Sequence, residues 1–341
     1  MIILTDRAFR ETLFPFTHTR HAADIRIGIL TIRDKWELLT EEKISTDEGA
    51  PGIHIPANII PTKENFKQII SAAKNNAAID ASDTIKILER PWHIFQLNDR
   101  ALRSDFELLT EGKKSAPLSD TNKAINPENI FIEDGASIEY SIINASTGPV
   151  YIDKNAEIME GSMIRGPFSI GTGSKLKMGS KIYGATTIGP YCVAGGEIKN
   201  SIFFGYSNKA HDGYLGDSVL GEWCNLGAGT SNSNVKNTGG EVGYTQHAEK
   251  EVLYAGSKGG LLMGDYSRAA INTSFNTGSV AGVCCNIFGE KMPGKFTDNF
   301  TWGNERYIFD KAIRDINNWK KMKGQSITEK EIRMLKALYD Q

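Results

Sequence analysis

The residue types best suited to chemistry are concentrated between positions 181 and 234. His211 stands in Asn208-Lys209-Ala210-His211-Asp212-Gly213-Tyr214-Leu215-Gly216-Asp217. Lys181 and Lys199 precede it. Gly221-Glu222-Trp223-Cys224-Asn225-Leu226-Gly227-Ala228-Gly229-Thr230 and Asn232-Ser233-Asn234 follow. A histidine titrates near neutral pH and suits proton abstraction. An N–H group of the Gly227-Ala228-Gly229 turn, or an asparagine amide, suits a developing oxyanion. Lysines supply fixed positive charge. Each residue also has a plainer reading. His211 alone is an ordinary loop histidine, and Asn225, Asn232 and Asn234 turn corners because Asn tolerates the left-handed region.

These residues must be positioned by a glycine-rich scaffold. The chain has 341 residues and 34 glycines, nearly all between Gly135 and Gly303. Aliphatic residues stand at Ile152, Ile158, Ile164, Ile170, Leu176, Ile182 and Ile188, each six residues after the last. The fourth residue after each is Ala156, Ser162, Phe168, Ser174, Ser180, Thr186 and Cys192, small in all but one case. Ile132 and Ile138 begin the phase, and a two-residue excess before Ile152 reads as a bulged corner. Leu220 and Leu226 resume it, and a weaker version returns at Ile271, Thr277 and Val283. A helix needs a period of 3.6. A strict six fits a triangular coil of short parallel strands, each giving one inward aliphatic side chain. The period lapses between Ile198 and Leu220, and between about Ser231 and Leu261. Both stretches read as insertions, with His211 exposed in the first.

At this point the chain resembles the hexapeptide-repeat acyltransferases, which implies a left-handed parallel β-helix and a homotrimer. More closely it resembles the family of bifunctional N-acetylglucosamine-1-phosphate uridylyltransferases / glucosamine-1-phosphate acetyltransferases, in a variant branch known from Bacteroidetes. The likeness runs without a gap from Lys199 to Asn234. It implies that His211 is the catalytic base, that Lys199, Tyr214 and Asn225 hold a sugar phosphate, and that Ala228 and Asn234 lie near the acetyl group of acetyl-CoA. Lys181 stands where the family has a phosphate-binding arginine. The lysine that follows the Asn234 position in the family is not found, and Gly240 is near its place. Acetyl transfer to an amino sugar needs an unprotonated amine and a donor for the thioester oxygen. His211 and the Gly227-Ala228-Gly229 turn are of the types required.

Residues 1–120 read as a mixed α/β domain, 121–303 as the β-helix and 304–341 as a C-terminal helical segment. In the first, Ile2-Ile3-Leu4 predicts a strand, Asp34–Leu39 a helix, Lys63–Asn75 an amphipathic helix, and Trp92–Leu97 a strand ending in Asn98-Asp99. The resemblance implies a shortened nucleotidyltransferase-like domain. There Asp99 matches a Mg²⁺-binding aspartate, with UTP as the nucleotide; a strand-end turn residue is the alternative. The phosphate loop's place reads Leu4-Thr5-Asp6-Arg7-Ala8-Phe9-Arg10, with no glycine, so backbone cannot approach a phosphate closely. In the last segment, Ile308, Ala312, Ile316 and Trp319 have helical spacing, Gly324 breaks it, and Ser326-Ile327-Thr328-Glu329 caps a second helix.

Composition narrows the class. Lys+Arg 39 against Asp+Glu 41 argues against nucleic-acid binding driven by bulk charge. No apolar run approaches the roughly 20 residues of a membrane helix, and no signal peptide is read at the N-terminus. Four cysteines, without CxxC spacing, point to a reduced, cytoplasmic setting. The expected function is an acetyl-CoA-dependent N-acetyltransferase on an amino-sugar 1-phosphate, in nucleotide-sugar synthesis. The alternatives are a sugar-1-phosphate nucleotidyltransferase and a non-catalytic sugar-nucleotide-binding scaffold, with the β-helix serving for trimerisation.

Overall fold

The computed structural model describes residues 1–245 and 251–341. The repeat region is a parallel β-solenoid of three faces, consistent with the left-handed β-helix that the resemblance implies. The first face runs from Ser137–Ile138 through Asn208–Lys209 and Asn225–Leu226 to Thr301–Trp302. The second runs from Lys123–Ile125 through Lys181–Tyr183, Glu197–Lys199 and Tyr214–Gly216. The third runs from Ile130–Ile132 through Phe168–Ile170 and Val219–Glu222 to Phe296–Thr297. The seven aliphatics from Ile152 to Ile188 are all buried, and they pair in register from coil to coil. The small residues sit where the chain turns. Ser162 and Ser180, for example, donate to the carbonyls of Met159 and Lys177.

Three sequence expectations are corrected here. First, the coil is not interrupted between Ile198 and Leu220. Glu197–Lys199, Ile202–Gly205, Asn208–Lys209, Tyr214–Gly216 and Val219–Glu222 continue the three faces. The inward positions are Ile198, Phe203, Lys209, Leu215 and Leu220, so two steps of five residues had shifted the phase. Second, the later phase runs through Met263, Ala269, Phe275, Ala281 and Ile287, all buried in the coil core. Ile271 lies at a corner and is 69% exposed. Third, Trp92–Leu97 is helical (His93–Gln96) and leads into the helix Asn98–Thr110. The second lapse is an insertion: Gly243–Tyr244 and Leu253–Tyr254 form an antiparallel pair off the coil.

One edge of the prism, between the third and first faces, turns through a left-handed residue in coil after coil. Lower down these are Gly135, Asn155 and Gly173. Higher up they are Tyr191, Tyr206, Trp223, Tyr266, Cys284 and Phe300. A bulky side chain costs about 1–2 kcal/mol in this conformation. Stacking offsets it: the Tyr206 ring lies 5.1 Å from Tyr191 and 4.4 Å from Trp223. The C-terminal helices Phe309–Lys321 and Glu329–Tyr339 cover the upper part of this edge through Ile316, Leu335 and Leu338. The second helix has a capped start, as the sequence predicts, with Thr328 as the N-cap and Glu331 completing the capping box.

The N-terminal region is α/β but small. Ile2–Thr5 pairs in parallel with Ile53–Pro56, flanked by the helices Ile32–Thr40, Phe66–Lys74 and Asn98–Thr110. It covers the third face, and Phe204, Val219, Leu262 and Val280 share one core with Leu4, Phe14, Phe16 and Ile25. Thr19 and Arg20 both bond Asp265, and Asn98 donates to Ala185 O at 2.8 Å. The four cysteines are buried and unpaired. No helix among the described residues is long and apolar enough to cross a membrane.

Candidate active site on the second face

His211 is exposed at the corner joining Asn208–Lys209 to Tyr214–Gly216. The corner is packed tightly from both sides. Below it lies Gly195-Gly196, where φ of Gly196 is +75° and a Cβ would stand 2.8 Å from the His211 carbonyl oxygen. Only glycine fits there. Above it, Gly229 N–H donates to Asp212 O at 3.0 Å. The Ala228-Gly229 turn therefore stacks directly on His211-Asp212, one coil up. Gly227 N–H is taken by Ala269 O at 2.9 Å. Ala228 N–H has no protein acceptor among the described residues, so of the three turn amides it is the one left to meet a ligand oxygen.

The corner is also held from inside. Lys209 points into the coil between Ala194 and Leu226, is 1% exposed, and donates its ammonium to His211 O. Burial pushes its pKa down to about 8. Sequence reading missed this residue because the inward position was expected to be aliphatic.

The outward side of the second face carries two columns. Lys181, Glu197 and Tyr214 are neighbours in register, as are Tyr183, Lys199 and Gly216. Adjacent strands lie about 4.8 Å apart, so both lysines and both tyrosines occupy one patch. Tyr183 donates to Glu197 Oε1 at 2.6 Å, and this bond pushes the phenol up to about 12. Lys199 Nζ lies 5.7 Å from the Tyr183 ring centroid. The Tyr214 phenol lies over Gly216, is raised mainly by burial, and bonds Asn234. Asn234 also donates to Asp217, which accepts a second amide from Asn200 at 2.7 Å. Glu197, Tyr183 and Asp217 thus join the site. For Glu197 and Tyr183, alternating strand geometry, which puts residues flanking an inward aliphatic on the outer surface, was the available signal; Asp217, a buried corner residue at φ +46°, carried none.

The expected residues do not all meet within one chain. Lys181, Lys199, Tyr214 and Asn234 share the second face, and His211 and Ala228 share its leading corner. Asn225 is on the first face, between Asn208 and Arg268. Asn232 is no corner residue: its amide bonds both N–H and C=O of Gly216.

In the N-terminal region, Asp99 lies in the first turn of the helix Asn98–Thr110 and pairs with Arg103 at 2.7 Å. An exposed helical carboxylate already engaged by a guanidinium does not fit a Mg²⁺ ligand. Asp6, His21 and Glu48 converge within 4.8 Å of one another. His21 Nδ1 accepts from Ala23 N–H at 3.1 Å, which leaves the Nε2 proton facing Asp6. Arg10 and Ala22 N–H engage Asp6, and the Asp6 and Arg7 amides engage Glu48.

Residues 2–47 and 53–114 match the sugar nucleotidyl transferase family model. The chain is 27% identical over 203 residues to the bifunctional protein GlmU of Trichormus variabilis, covering 53% of this chain and 44% of that protein. It is 33% identical over 179 residues to the bifunctional protein GlmU of Rippkaea orientalis, covering 46% and 38%. With that of Zymomonas mobilis it shares 24% over 221 residues, covering 61% and 44%. The matches thus span less than half the length of these relatives.

Proposed function

We propose, for this GlmU-like chain, an acetyl-CoA-dependent N-acetyltransferase acting on an amino-sugar 1-phosphate in nucleotide-sugar synthesis. The observation that carries the reading is the stacking of Ala228 on His211 at one corner, beside a lysine and tyrosine patch. His211 takes the proton from the amine as it attacks the thioester carbonyl. The free Ala228 N–H donates to the thioester oxygen as it becomes negative. Lys199 and Lys181 hold the phosphate, and Tyr214, fixed by Asn234, orients the sugar. The bond formed is N–C, the bond broken is C–S, and coenzyme A leaves as the thiol.

Asn225 completes the site from another copy. Beneath the lysine patch the second face exposes Ile125, Ile142 and Met163. A three-fold assembly would bury that strip and bring the first face of one copy to the second face of the next; closed cyclic symmetry avoids open-ended association. The test of the function is release of free thiol from acetyl-CoA against a panel of amino-sugar 1-phosphates, with and without UTP. The assembly is tested by sedimentation: a monomer at micromolar concentration contradicts it.

A second reading rests on the match of residues 2–47 and 53–114 to sugar nucleotidyl transferases. The turn after the first strand has Asp6, Arg7 and Arg10 but no glycine, and Asp99 is committed to Arg103. These features count against that second reading, and nucleotidyl transfer from UTP is expected to be weak or absent. Robust pyrophosphate release from UTP and a sugar 1-phosphate would reverse it.

A further inference from the structure

A cleft of about 420 Å³ separates the N-terminal region from the lower half of the third face. Its floor is the outward side of neighbouring strands, where Tyr151 and Ser169 are in register. Arg26 lines it from the N-terminal side. It is remote in the fold from the His211 corner, which joins the other two faces.

Two hydrogen-bond donors here are left over. Ser169 is 2% exposed, and its hydroxyl has no partner. Arg26 donates Nε to Phe204 O at 2.9 Å and Nη1 to Ile29 O. Its Nη2 has no acceptor, and no carboxylate stands within 4 Å of it, among the described residues. The carboxylates of the cleft, by contrast, are engaged. Glu133 accepts the Tyr151 hydroxyl at 2.9 Å. Asp153 accepts the Thr172 N–H at 3.1 Å and hydroxyl at 2.6 Å. Asp34 accepts Thr31 N–H at 3.0 Å. Lys154 adds a second positive charge at the rim. A half-buried guanidinium with one unengaged edge, felt by Asp34 and Glu222 only from beyond contact, and a buried hydroxyl without a partner both favour the arrival of an anion. A guanidinium edge matches phosphate oxygens. The second lone pairs of Glu133 and Asp153 suit hydroxyl groups.

We propose that this cleft binds a phosphorylated polyol of hexose-phosphate size, with Arg26 and Ser169 on the phosphate and Glu133 and Asp153 on the hydroxyls. The site shares no residue with the proposed acetyl-transfer site, so either can fail without the other.

The test is calorimetric titration of the full chain with glucose 6-phosphate, inorganic phosphate and glucose. It is run in a Lys181→Ala/Lys199→Ala background, which removes both lysines of the second-face phosphate site. One site per chain for glucose 6-phosphate is expected, with weaker binding of inorganic phosphate and none of glucose. Arg26→Lys should weaken it at least about tenfold, and Ser169→Ala severalfold, the worth of hydrogen bonds to a charged group. Ser169→Ala removes one unpartnered oxygen, so it keeps the test valid if the Arg26 variant misfolds. Ser169→Ala in the otherwise unaltered chain should leave acetyl transfer unchanged. No binding of either phosphate at millimolar concentration would overturn the proposal, as would affinity indifferent to both substitutions. Glucose 6-phosphate binding no tighter than inorganic phosphate would overturn the polyol assignment.

Discussion

Lys209 reaches His211 from inside the coil: its ammonium, buried where every neighbouring coil has an apolar side chain, donates to the carbonyl of His211 at the surface. A buried cation with one hydrogen bond is an expensive way to fill an inward position. It makes structural sense as a tether that fixes the corner carrying the proposed base.

Replacing Lys209 by Met should therefore separate stability from activity. The ammonium releases its proton at about 8 in the folded chain, against an ordinary 10.5 in the unfolded one. Between those values the unfolded state binds more protons, so wild-type stability rises with pH across that window. Lys209→Met should lose this rise and be as stable as wild type or more so at pH 7. Its kcat for acetyl transfer should fall, by about tenfold or more, because the His211 backbone loses its anchor. Denaturant melts from pH 7 to 10.5, with kinetics at pH 7.5, check both halves.

Gly196→Ala should damage the same corner without altering any side chain of the site. At φ +75° an added Cβ meets His211 O and Gly213 O at 2.8 and 2.9 Å. The left-handed conformation alone costs about 1–2 kcal/mol. Unfolding in urea should show at least that loss, and kcat should fall at unchanged overall fold by circular dichroism.

The buried pair Lys35–Asp105 anchors the helix Ile32–Thr40 to Asn98–Thr110, and Asp105 also accepts the N–H groups of Ile29 and Leu30. Burial drives Lys35 down and Asp105 up. Asp105→Ala should destabilise by about 3–5 kcal/mol, since it strands a buried ammonium. Lys35→Met added to it should recover part of that loss, and a double-mutant cycle in urea measures the recovery.

The hexad phase can be tested at two isoleucines. Ile182, 1% exposed in the ladder, should cost about 2–5 kcal/mol on truncation to alanine. Ile271 matches the same six-residue spacing by sequence but is exposed, and Ile271→Ala should stay within about 0.5 kcal/mol.

That contrast also shows what was legible. From Ile152 to Ile188 every coil keeps eighteen residues and every inward position is aliphatic, so the pattern could be read directly. Beyond Ile198 two corners shorten by one residue, and Lys209 and Asn232 take inward positions. An apolar count then sees a gap where the coil in fact continues. Ile271 misled because an exposed corner aliphatic has the same spacing as an inward one. Trp92–Leu97 read as a strand from its apolar run, but short buried helices and strands share that signature. Of the site, the linear order from Lys199 to Asn234 was readable. The division of Asn225 from Lys199 onto different faces was not, because it depends on the three-fold turn of the chain.

The central claim is that His211 is the base of an acetyl transfer. The measurement is kcat for thiol release from acetyl-CoA with the best amino-sugar 1-phosphate, for wild type and His211→Ala, across pH 5.5 to 9. The account predicts a fall of roughly 10²–10⁴-fold in kcat, little change in acetyl-CoA affinity, and unchanged stability. A His211→Ala variant with wild-type kcat would contradict it.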